Sequence, residues 1–249
     1  MSRPAPVLRS AAALAAMELR LTSRRGENVL VTLVIPVAVL LFFATVGIVP
    51  GTAGRPVDFL LPGALALGII ASGLVNLGIA TAYERSYGVL KRLGGSPLPR
   101  AGLVTAKIAS ILVLEIVQVA LLIAVAALVL GWRPPAGASP ALVVVAALLG
   151  TFTFAGLGLL MAGTLRAEAT LALANGLFLG FLMLGGIVLP IDHLPEPLAA
   201  IARVLPAGAL ADTFRIALSG TGDVAGPMVV LVAWGLAAVG LSARYFRWE

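Results

Sequence analysis

Six stretches of this chain are apolar on every face for about the length a helix needs to cross a bilayer: Val29 to Val49, Phe59 to Ala82, Val104 to Leu130, Ala141 to Leu165, Leu171 to Leu189 and Met228 to Tyr245. A segment surrounded by lipid must satisfy its own backbone hydrogen bonds. Only helices and closed barrels do this. Membrane strands alternate apolar and polar residues, and these runs do not, so the sequence predicts an all-α, polytopic membrane protein with six transmembrane helices. Composition agrees: 60% of the 249 residues are hydrophobic and 11% charged, far from a soluble globular chain. The net charge of +6 therefore reports membrane topology and not nucleic-acid binding.

Proline and glycine concentrate at the breaks between runs, where helices end. Residues 1–27 carry Arg3, Arg9, Arg20, Arg24 and Arg25 and are too polar to enter lipid. One helical face there holds Val7, Leu14, Met17 and Leu21, which predicts an interfacial helix; the other reading is a basic tail. The transmembrane domain then covers residues 28–249. The first run is too long for the apolar core of a cleavable signal and is read as a retained span. Thirteen of the 17 basic residues fall on one side of a six-span topology, and Arg55, Arg133, Arg203 and Arg215 on the other. The positive-inside rule then places both termini in the cytoplasm. Pro190 to Pro227 lies outside. Its apolar part, broken by Arg203, Pro206, Asp212 and Arg215, is too polar to span and predicts short helices that lie at the outer interface or dip in and return.

Chemistry has few places to sit. The chain has no cysteine, which excludes thiolate metal sites. His193, the single histidine, stands beside Asp192 in the outer segment with no second ligand. Neither lysine belongs to a Walker A phosphate loop, so nucleotide hydrolysis would have to come from another polypeptide. The chain itself is expected to hold no cofactor and no catalytic residues. Inside the spans, Glu115 lies about a dozen residues into the third run, roughly mid-membrane, with Gln118 three residues on along the same face. An acid at that depth faces other helices or a cavity, as a proton or substrate site, an interhelical hydrogen bond or a protonated packing group. Asn76 and Asn175 are single amides that either line a translocation path or tie helices together. Gly176 and Gly180 are spaced for close helix approach.

The stretch from Tyr83 to Arg100 reads Y-E-R-S-Y-G-V-L-K-R-L-G-G-S-P-L-P-R. It resembles the cytoplasmic loop between the second and third spans of ABC-2 type exporter permeases, roughly E-R-x-x-G-x-L-K/E-R-L followed by a Pro-Leu pair. Glu84, Arg85, Gly88, Leu90, Lys91, Arg92, Leu93, Pro97 and Leu98 fall on that pattern. A second match runs through Gly185-Gly186, Pro190, Pro195, Pro206, the Asp212 and Arg215 pair and Ser219-Gly220. The chain looks most similar to small bacterial drug and antibiotic exporter permeases of the daunorubicin-resistance type.

The resemblance implies a membrane subunit that works with two ABC ATPase subunits, which bind ATP and magnesium, and with a second permease copy, identical or not. The substrate would be a hydrophobic or amphiphilic molecule exported from the cell. The loop would act as a coupling helix, Leu90 and Leu93 filling a groove of the ATPase while Glu84, Arg85, Lys91 and Arg92 meet its polar rim. Without docking, its basic residues would only fix topology and touch anionic lipid. Two rival functions stay open: a proton-coupled secondary transporter using Glu115, and a membrane scaffold or sensor that does not transport.

Overall fold

The computed structural model describes residues 26–46, 55–94 and 100–246, with side chains over 32–46, 55–91 and 107–246. Among them every regular element is helical: α1 (Gly26–Val46), α2 (Pro56–Ser86), α3 (Val89–Gly94), α4 (Arg100–Leu128), α5 (Pro140–Thr164), α6 (Ala167–Leu184), a 3-10 turn (Ile191–His193), α7 (Glu196–Val204), α8 (Pro206–Ser219) and α9 (Ala225–Tyr245). Five are long and apolar enough to cross a membrane: Pro56–Ser86, Lys107–Leu128, Pro140–Thr164, Ala167–Leu184 and Ala225–Tyr245. The expected first span falls on α1, whose side chains are described only over Thr32–Val46. The expected interfacial helix of residues 1–27 lies outside the described residues, apart from the first turn of α1.

Local chemistry sets the boundaries. Pro56 and Pro140 open α2 and α5 from the first turn, where a missing N–H costs nothing, and the Ser139 hydroxyl accepts from the Leu142 N–H at 3.3 Å. At two places the helix ends differ from the ends of the apolar runs. The helix of the second run continues past Ala82 through Tyr83, Glu84 and Arg85 to Ser86. The fifth ends at Leu184, short of Leu189, because Gly185 takes the C-cap and Gly186 turns the chain with φ 63°.

At the centre stands α5, packed against α2, α8 and α9. Small residues let the helices approach: Gly73 of α2 lies on the backbone of Phe154 and Ala155, Gly78 on Gly158, and Gly156 on Ala238 of α9. Within α2, Ala71–Leu77 forms a turn of π-helix, a widening of the backbone at the level of this contact. The outward faces of α4 and α9, with Ile116, Leu128, Val229 and Leu236 exposed, suit lipid.

α8 runs beside the first half of α5. Ala217 O accepts from Ser139 N–H at 2.8 Å, and Leu210 lies on Gly150. The start of α8 is therefore displaced roughly 15 Å along the bundle from the start of α5, at 1.5 Å per residue. There Ala207 touches Gly185, and Trp234 of α9 donates to Val204 O at 2.9 Å. α7 and α8 thus pack against the bundle itself, α8 along α2, α5 and α9 and α7 at the end of α6.

Candidate functional site

α2, α4, the α5–α6 turn and the end of α9 meet at one end of the bundle, and Arg85, Lys107, Arg166 and Arg244 gather there. Tyr87 and Gly88 turn the chain from α2 into α3. The Tyr87 N–H donates to Tyr83 O and the Gly88 N–H to Arg85 O, both at 2.9 Å, and Gly88 takes φ 70°. A side chain at Gly88 would have space but the wrong backbone.

Two long-range bonds fasten this corner. Lys107 Nζ at the start of the described part of α4 donates to Glu84 Oε2 at 2.6 Å, and Arg85 Nη2 donates to Leu165 O in the α5–α6 turn at 2.5 Å. Lys107 is 4% exposed and Glu84 22%, so removing either partner strands a partly buried charge, which costs more than breaking a surface ion pair. Of the four charges expected at the rim of a partner's groove, Glu84 and Arg85 make hydrogen bonds within the chain. Leu90, expected to fill a groove of the partner, is buried within its own chain at 0% exposure. The corner presents Tyr87, 72% exposed, with Val89 and Lys91. Arg92 and Leu93 continue α3, but their side chains, like Pro97 and Leu98, lie outside the described residues.

A second cluster sits in the core. Asn76 Nδ2 donates to Thr32 Oγ1 at 2.5 Å and Gln118 Nε2 to Thr32 O at 2.9 Å, so one residue of α1 is held by both α2 and α4. The Gln118 amide lies on Gly68, where a side chain would displace it. Glu115 is hydrogen-bonded to Thr151 of α5, and Glu115 and Gln118 are each 2% exposed. Asn76, Glu115 and Gln118 thus share one region between α1, α2, α4 and α5. Asn175 is elsewhere: it faces outward from α6 and donates only to Leu171 O of its own helix, at 2.9 Å.

At the opposite end, Pro190 and Pro195 flank the 3-10 turn and open α7, and Pro206 opens α8. Arg215 pairs with Asp212, donates to Gly186 O at 3.0 Å, and lies 4.5 Å from the Phe59 ring centroid. It therefore joins α8 to the end of α6 and the start of α2. Burial pushes the Asp212 carboxyl above its ordinary value and the Arg215 guanidinium below its own, each opposed by the other's charge.

Sequence reasoning missed Lys107, Thr32, Thr151 and Leu165 O as partners. Lys107 was readable only as one more basic residue of the inner loop, and the two threonines carry no signal in an apolar run. Over residues 10–218 the sequence matches the ABC-2 type transporter membrane family. No curated protein matches the chain.

Proposed function

Because the chain belongs to the ABC-2 type transporter family, whose permeases work with an ABC ATPase, we propose that it is the permease subunit of an ATP-driven exporter of hydrophobic or amphiphilic molecules. In this reading α1 completes six spans, the basic corner faces the cytoplasm, and two ATPase subunits bind beneath two permeases. The carrying observation is the double fastening of that corner. A push on α3 meets a body tied to α4 through Glu84–Lys107 and to the α5–α6 turn through Arg85–Leu165, so it moves several spans together. Tyr87 and Val89, with Lys91 at the edge, are the surface for the ATPase, and Leu90 transmits the load inward.

ATP supplies work only by binding conformations of the complex differently, and a rigid corner converts that preference into helix movement. For the second permease copy the supporting surface is the outward face of α6, where none of the described residues lies near Gly176 or Gly180 and Asn175 is exposed. The test is transport of a fluorescent amphiphile by permease and ATPase co-reconstituted in vesicles. Lys107→Met should keep the ATPase bound and hydrolysing while transport falls at least tenfold. Full transport by that variant overturns the coupling assignment.

A further inference from the structure

The bond between Glu115 and Thr151 contains a conflict of protons. Thr151 has one hydroxyl hydrogen. Its Oγ1 lies 2.7 Å from Ala147 O, an acceptor in its own helix, and is also hydrogen-bonded to Glu115 Oε2. One hydrogen cannot serve both well. If Glu115 were an anion, the contested hydroxyl would be its only donor among the described residues, since Oε1 is buried with no partner.

Among the described residues no positive charge stands near to compensate. Residues 32–46 of α1 and all of α5 contain no titratable side chain, and α2 carries its own only at its two ends: Asp58, and Tyr83, Glu84 and Arg85. Lys107 is the only basic residue of Lys107–Leu128, lies eight residues from Glu115, about 12 Å along the helix, and is paired with Glu84. A carboxylate held this way, 2% exposed in the centre of a span, would carry a full desolvation cost with one shared hydrogen bond against it.

One added proton resolves the arrangement. We infer that Glu115 is a proton-binding site in the bundle core, carried as the neutral acid, whose Oε2–H donates to Thr151 Oγ1 while Thr151 donates onward to Ala147 O. Every hydrogen then has one acceptor, and the chain runs in one direction from α4 into α5. Oε1 becomes a neutral carbonyl, whose unpartnered burial costs far less than that of half a charge. Gln118, one turn along, continues the same face to Thr32 of α1, so the resident proton completes a polar belt joining α1, α4 and α5. This goes beyond the exporter assignment and holds or fails independently of the ATPase.

Infrared difference spectroscopy of the full-length permease in lipid vesicles at neutral pH tests it. Wild type minus Glu115→Gln should show the carbonyl stretch of one protonated carboxylic acid, lost in the variant. Thr151→Val, which keeps Glu115 and removes its acceptor, should move that band to higher frequency without abolishing it. A difference spectrum with the paired stretches of a carboxylate and no acid band overturns the inference. If Glu115→Gln does not accumulate, wild type against Thr151→Val decides alone: a shifted acid band supports the proton, and carboxylate-region changes refute it.

Discussion

Glu84 Oε2 and Lys107 Nζ are 2.6 Å apart, which locks the last turn of one span to the beginning of the next. Between them lie Tyr87, Gly88 and α3. Removing the cation by Lys107→Met leaves Glu84 half-buried without its partner and should cost about 1–3 kcal/mol, less than for a fully buried pair because Glu84 touches solvent. Thermal unfolding of the detergent-solubilised permease measures it. Glu84→Gln with Lys107→Met should recover part of the loss, since neither charge is then stranded.

Leu90 and Tyr87 should respond in opposite ways. Leu90→Asp places a charge at a fully buried position and should destabilise the protein by at least about 3 kcal/mol, seen as poor accumulation in the membrane. Tyr87→Asp with Val89→Asp changes exposed residues and should leave thermal unfolding within about 0.5 kcal/mol while abolishing co-purification with the ATPase. Loss of the fold in the second variant and not in the first would refute the surface assigned to α3.

Gly88→Ala should cost about 1 kcal/mol, because alanine meets no obstacle there yet must hold φ 70°. Gly88→Asn should be milder, as asparagine tolerates the left-handed region better. Denaturation midpoints of the two variants give the order.

Gly158→Val should be among the most damaging single changes in the bundle. A side chain there meets the backbone of Gly73 and Leu74, which has no rotamer to move, so α2 and α5 must separate. The expected loss is about 1–3 kcal/mol or more, measured by thermal unfolding, whereas Gly176→Val, with none of the described residues near it, should leave the isolated subunit's midpoint unchanged.

The spans were legible because helices surrounded by lipid are apolar on all faces, and no tertiary information is needed to see that. Their ends were less so. The continuation of α2 through Glu84 and Arg85 depends on partners 23 and 80 residues away, and no local pattern announces them. Leu90 and Leu93 form an apolar face by spacing alone, and spacing does not say whether that face turns toward a partner or toward the chain's own core. Helix α8 is held to α2 and the end of α6 because Arg215 satisfies Asp212, Gly186 O and the face of Phe59 together, a combination that reads in sequence only as two charges in an apolar stretch. The polar core was half visible: Asn76, Glu115 and Gln118 stood out as polar residues in spans, while Thr32 and Thr151, which tie them together, are too common in such helices to be marked.

On the proposed function, a separate ATPase grips the corner around Tyr87 and Val89 and moves this subunit. Uptake of a fluorescent amphiphile into inside-out vesicles containing the permease, with and without its ATPase, tests it most directly. ATP-dependent uptake only when both are present, and none from the permease alone under a proton gradient, is the predicted result. Rapid gradient-driven uptake by the permease without the ATPase would contradict the account.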